Sequence, residues 1–176
     1  ALRVVGDGFT ALKFDPFMCL DGSSSRLPDR VLPKHVADLA YARVAAVREA
    51  VGPYIDILIE VHGNLGTTAA IEMGRRFEDL KPYFYEEPVD AMNVDAMLKV
   101  SQNVRIPIAA GERLYTRYGF RDLINTQAVP ILNADAKVLG GITEYMKVAA
   151  LAQAYDLDIA PHGSQDIHIH LVAAIA

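Results

Sequence analysis

The chain has 176 residues, a formal charge of −5 at pH 7 and 52% hydrophobic side chains. That apolar content excludes whole-chain disorder, and the acidic balance argues against a general nucleic-acid binder, which needs a basic face. No run approaches the roughly 18 apolar residues of a membrane span, and the length suits one domain or a part of one.

One cysteine, Cys19, leaves no internal disulfide and no thiolate zinc site. The opening ALRVVGDG lacks the basic end and apolar core of a secretion signal. A reducing, cytoplasmic setting with no nucleic-acid and no membrane partner is the expectation.

In chain order, the first strand is expected at GFTALKF (8–14), where Phe9, Thr10 and Phe14 favour extended backbone. The connection DPFMCLDGSSSRLPD (15–29) is long and irregular, a candidate lid or a mobile insertion. A helix at 35–52 stops at Gly52. Strand YIDILIEV (54–61), helix 67–80, strand YFYEE (83–87) and a helix at 93–103 capped by Asn93 follow. Then come strands RIPIAAGE (105–112) and VPILNAD (129–135). A helix at 142–156 is expected to bury Ile142, Met146, Ala149, Ala150 and Gln153. Strand LDIAPH (157–162) and the start of a helix at 168–176 complete the pattern.

Alternating strands and helices with short connections imply parallel strands joined by right-handed crossovers. Six βα units fit either an open doubly wound sheet or most of a closed barrel, which has eight units in about 250 residues. Neither GxGxxG nor GxxxxGK is present to support nucleotide binding, and Gly140–Gly141 reads as a tight βα turn.

The positions of the polar residues carry the functional signal. Glu60, Glu86, Glu112, Asp135 and His162 each close a strand, at steps of 26, 26, 23 and 27 residues. Equivalent positions on parallel strands gather on one edge of the sheet, in a barrel the edge that carries active sites. Three carboxylates meeting there repel and raise one another's pKa unless a cation lies between them. An all-oxygen set suits a hard divalent ion such as Mg²⁺. Of the adjacent pair Glu86 and Glu87 only one can face that edge, which leaves the other for a salt bridge in the wall. Asp135 beside His162 makes a general-base pair. His62, two residues after Glu60, points to the same side, while His168 and His170 read as structural or surface residues.

The stretches ALKFD (11–15), IEVHGN (59–64), YEEP (85–88), AAGERLYTRYGF (109–120), NADAKVLGGITE (133–144) and APHGS (160–164) resemble the mandelate racemase group of the enolase superfamily. The HGN of 62–64 and the GERLYTRYGF of 111–120 resemble acid-sugar dehydratases of the galactonate and gluconate type. The resemblance implies an α/β fold, a modified TIM (β/α) barrel. This chain would be a C-terminal barrel-domain fragment over 1–176 holding strands two to seven, without the capping domain, the first strand or the last. It implies Mg²⁺ on Glu60, Glu86 and Glu112, His162 with Asp135 as base, and His62 as the acid for the departing hydroxyl. Lys13 matches the first lysine of the family's K-x-K motif and would contact the substrate. Asp15 takes the place of the second lysine among the substrate-binding residues, which disfavours a racemase using that lysine. The implied activity is dehydration of a sugar acid, the small-molecule partner, to a 2-keto-3-deoxy acid by a homo-oligomeric enzyme. A racemase or epimerase with His162 and His62 as its two bases, and a catalytically silent binding module, are the rival readings.

Overall fold

A computed structural model describes residues 1–18 and 30–175. Cys19 and most of the 15–29 lid candidate lie outside the described residues. In chain order the elements are α1 (Leu2–Gly6), β1 (Ala11–Phe14), α2 (Lys34–Val51), β2 (Asp56–Glu60) and α3 (Thr67–Phe77), which runs into a 3-10 turn (Glu78–Leu80). They continue with β3 (Phe84–Glu86), α4 (Val94–Ser101), β4 (Ile108–Ala110), α5 (Thr116–Asn125), β5 (Ile131–Leu132), α6 (Ala136–Leu139), α7 (Ile142–Ala154), β6 (Asp158–Ile159) and α8 (Gln165–Ala173).

Among the described residues the six strands form one parallel sheet in the order β1-β2-β3-β4-β5-β6. A doubly wound sheet reverses its strand order at a switch point. Here no reversal occurs, so the sheet winds in one sense, as a barrel does. Strand alternation separates two faces. Ile57, Ile59, Tyr85, Ile108, Ala110 and Leu132 pack into the large core with the helices. Phe84, Ala109 and Ile131, with Leu58 and Ala160, form a smaller cluster on the other face. Leu58 pairs with Phe84 and Glu60 with Glu86 in register, so the two acids stand one pleat above that inner cluster.

The helices bury the stripe that a 3.6-residue period requires. In α3 it is Ala70, Met73, Gly74 and Phe77. An alanine Cβ at Gly74 would lie 2.7 and 2.8 Å from the two methyls of Val104, which is buried and stiff at χ1. Alanine gains about 1 kcal/mol of helix propensity, yet overpacking costs about 1–3 kcal/mol. Gly74→Ala is therefore expected to lower stability by up to about 2 kcal/mol in urea unfolding; a stabilised variant would show that Val104 yields.

The short helices α1 and α6 add to the expected elements, and α5, α7 and the Gly140–Gly141 junction also depart from the expectations. The sequence pattern does not reveal helix α5, because Gly119 and its polar residues mask a buried stripe of Phe120, Leu123 and Ile124. Helix α7 buries Tyr145, Val148, Ala149 and Ala152, so only Ala149 of the expected inward residues is fully buried and Ile142 is exposed. The stripe is displaced because Tyr145, bulky and polar-tipped, takes the inward position. Gly140–Gly141 joins α6 to α7 rather than a strand to a helix. No helix among the described residues is long and apolar enough to cross a membrane.

Candidate active site

Strands β2 and β3 end on Glu60 and Glu86, whereas Glu112 follows β4 by two residues. Gly111 makes the turn between them at φ +130, and a Cβ there would lie 2.7 Å from the Phe120 ring. Only glycine suits both the left-handed backbone and that close approach. The three acids expected to converge do so. Each offers a carboxylate oxygen, and these oxygens lie within 4.8 Å of one another. All three side chains are buried, Glu86 completely.

The hydrogen bonds at this cluster are unevenly distributed. Oε1 of Glu60 accepts from the backbone N–H groups of Val61 (2.9 Å) and His62 (2.8 Å). The Lys13 ammonium donates to Oε2 of Glu60 at 3.1 Å and to Oε2 of Glu86 at 2.6 Å. Oε1 of Glu86 and Oε2 of Glu112 are buried with no hydrogen-bond partner. Buried carboxylate oxygens without donors are costly, and an all-oxygen donor set matches a hard divalent cation. These residues therefore fit a metal ion.

The electrostatics agree. Burial, reinforced by the charge of Glu60, pushes the Glu86 carboxyl up to about 8. Burial also works against the charge on Glu60, yet Lys13 and the N–H of His62 hold its pKa below the usual range. Lys13 is disfavoured by burial but raised overall by Glu86 and Glu60. The lysine expected to meet a substrate is thus held on the acid cluster itself.

Glu87 has the role anticipated for the spare acid. Its backbone sits at φ +38, which turns the side chain away from Glu86. The buried carboxylate accepts from Nε of Arg113 at 2.8 Å and from the N–H of Gly111 at 3.3 Å. Burial raises the Glu87 pKa in spite of the Arg113 guanidinium. Its carbonyl accepts from Gly63 N–H at 2.7 Å, so one residue ties together the loops after β2, β3 and β4. Sequence reasoning overlooked Arg113, although a cation directly following Glu112 was a visible partner for the second acid of YEEP.

Two histidines line the same edge, each with its own aspartate. His162 Nδ1 lies 3.1 Å from Oδ2 of Asp135, and its Nε2 lies 3.1 Å from Oε2 of Glu112, a close approach outside hydrogen-bond geometry. Asp135 is fixed by its other oxygen, which accepts from Lys137 N–H and caps α6. At the far end, His62 Nδ1 meets Oδ2 of Asp15 at 2.7 Å. This changes the expectation for Asp15 as a substrate contact. Its side chain is 3% exposed and its other oxygen accepts from Phe17 N–H, so both oxygens already have partners. His62 reaches the edge because its own backbone is left-handed, at φ +55, not through strand alternation past Glu60.

His168 is structural and buried. Its Nε2 accepts from Ala136 N–H at 2.9 Å, its Nδ1 lies 2.7 Å from the Gly163 carbonyl, and its ring stacks on Tyr145. It therefore ties the loop that carries His162 to the loop that carries Asp135. His170 is exposed.

A singly wound parallel sheet, with three carboxylates that could hold a metal ion gathered at one edge between two histidine–aspartate pairs, is a domain of the (β/α)-barrel class. The chain belongs to the Enolase C-terminal domain-like family, which it matches over residues 1–176. It is 37% identical over 154 residues to D-galactonate dehydratase of Xanthomonas oryzae pv. oryzae (strain PXO99A), covering 88% of this chain and 40% of that protein. It is 38% identical over 164 residues to D-gluconate dehydratase of Thermoproteus tenax, covering 93% of this chain and 31% of the relative. The crystal structure of L-talarate dehydratase from Polaromonas sp. JS666, complexed with Mg and L-glucarate, superposes with a TM-score of 0.86 at 30% identity. That match covers all of this chain and 45% of the other. The chain thus spans less than half the length of these proteins.

Proposed function

We propose that this chain carries the catalytic edge of a Mg²⁺-dependent sugar-acid dehydratase, with its six strands as strands two to seven of the barrel. The carrying observation is the buried triad of Glu60, Glu86 and Glu112, each offering an oxygen within 4.8 Å of the others, together with two buried oxygens of Glu86 and Glu112 that accept no hydrogen bond. These three residues would hold the ion. A bound Mg²⁺ would supply positive charge opposite a substrate carboxylate as negative charge builds up on it.

The chain's own residues account for the remaining steps. Nε2 of His162 accepts the proton from the carbon next to the carboxylate, while Asp135 holds Nδ1 and so fixes which nitrogen faces the substrate. His62 donates a proton to the hydroxyl that leaves the neighbouring carbon. The resulting enol becomes a 2-keto-3-deoxy acid. Lys13 adds a fixed positive charge beside the carboxylates. One base and one acid from opposite ends of the edge suit elimination.

The names of the relatives support a sugar acid as substrate class. A panel of aldonic and aldaric acids incubated with the full-length protein and Mg²⁺ tests the proposal. Formation of a 2-keto-3-deoxy acid is expected. Deuterium uptake next to the carboxylate without loss of water would favour the racemase or epimerase reading, which the presence of two histidines on one edge also accommodates. No turnover and no exchange across the panel would favour a silent binding module.

Lys13 separates metal binding from catalysis. Its ammonium stands within 3.1 Å of two of the triad carboxylates and repels an incoming cation. Partly solvated charges at such separations interact by about 1–2 kcal/mol after screening. Lys13→Met is expected to tighten Mg²⁺ binding by about tenfold in calorimetry while turnover falls. Weaker Mg²⁺ binding would show that the lysine assists the metal site rather than competing with it.

A further inference from the structure

We infer that Asp15 is a positioning residue for His62, so that the edge carrying the acid triad holds a histidine–aspartate dyad at each end. The inference rests on the dehydratase reading for what His62 does, but the dyad itself stands on geometry. His62 follows β2 and His162 follows β6, four strands away in the sheet order. Each presents Nδ1 to an aspartate Oδ2, at 2.7 Å for His62 and 3.1 Å for His162. The second oxygen of each aspartate accepts from a backbone N–H two residues further along the chain: Phe17 for Asp15 and Lys137, in the first turn of α6, for Asp135. The side chains of Asp15 and Asp135 are 3% and 7% exposed, against 44% and 39% for the two imidazoles. Both pairs thus consist of a buried, doubly anchored carboxylate and a half-exposed ring; Nε2 of His162 lies 3.1 Å from Oε2 of Glu112, whereas Nε2 of His62 is free of partners among the described residues.

The consequence for His62 is steric and tautomeric. Its backbone is in a left-handed conformation that non-glycine residues adopt at a cost, and its N–H is bonded to Oε1 of Glu60. With the main chain so held, ring rotation remains as the freedom that could aim the imidazole elsewhere. Asp15 removes it. A carboxylate acceptor at Nδ1 keeps the proton there and leaves Nε2, which has no partner among the described residues, to face the substrate. This also explains how an aspartate serves where the K-x-K pattern has its second lysine: instead of acting on the substrate from β1, the position supports an acid carried by β2.

Two measurements test the assignment. The first is the imidazole ¹⁵N spectrum of histidine-labelled protein, with His62 assigned by its loss in His62→Asn. The expected neutral form of His62 carries its proton on Nδ1, and in Asp15→Asn that preference is weakened. A wild-type His62 protonated on Nε2, or a tautomer unchanged in Asp15→Asn, overturns the dyad whatever the enzyme's substrate. The second is the partition between exchange and elimination with a turned-over sugar acid. Asp15→Asn is expected to reduce dehydration by about 100-fold while exchange at the carbon next to the carboxylate stays within about threefold of wild type. An equal fall in both rates would make Asp15 a merely structural residue and overturn the positioning role. A dyad visible in the spectra of a protein that dehydrates none of the panel would instead count against the dehydratase reading alone.

Discussion

Glu86→Gln should abolish the rise in melting temperature that Mg²⁺ produces and weaken Mg²⁺ affinity by more than about 100-fold. Glutamine has the shape of glutamate, so the packing beneath it, where Glu86 is fully buried on the strand β3, is preserved. What disappears is one anionic donor from a set of three, including the unpartnered Oε1. Unchanged Mg²⁺ affinity would mean that the three carboxylates do not share an ion.

The same substitution has a second signature, in metal-free protein. Burial and Glu60 raise the Glu86 carboxyl from its usual 4.5 to about 8. Between these values the folded state holds a proton that the unfolded state has released. The folded protein therefore loses stability as pH rises through that window. Glu86→Gln removes the titrating group and should flatten this slope, measured as melting temperature against pH in the presence of a chelator. A slope that persists unchanged would assign the proton uptake to another group.

The largest effect on chemistry is expected from the two histidines, and the two substitutions should fail differently. In His162→Asn, exchange of the hydrogen next to the carboxylate and dehydration should both be lost, since the group that removes the proton is gone. Positioned acids and bases contribute about 10²–10⁴-fold. In His62→Asn, dehydration should fall by a similar factor while exchange continues, because the proton can still be removed and returned from the His162 side. The measurement is deuterium incorporation from solvent alongside keto-acid formation. Retained exchange in His162→Asn would remove it as the base. Inversion at that carbon in the wild type without keto-acid formation would favour two-base racemisation.

The distribution of the polar residues explains why so much of the site was legible early. A βα unit has a nearly constant length, and parallel strands all present the same end to one edge. Acids spaced by one unit must therefore meet, as Glu60, Glu86 and Glu112 do. The same argument placed Asp135 against His162, 27 residues apart. Helix α5 is not legible in the sequence because its stripe of Phe120, Leu123 and Ile124 is short and interrupted by polar side chains. The period of a ten-residue segment is weak evidence on its own.

The amino-acid sequence by itself determined the parallel βα repeat, the edge on which the acids collect and the oxygen character of the cluster, because these follow from period and residue type. Only the tertiary structure decided that Asp15 belongs to His62, that Lys13 rests on Glu60 and Glu86, that Arg113 takes the spare Glu87, and that His168 ties two loops together. Two of these pairings, Asp15 with His62 and Arg113 with Glu87, join residues more than twenty positions apart through left-handed turns at His62 and Glu87. Such a turn redirects a side chain after its strand has ended, where strand periodicity no longer says which way it points.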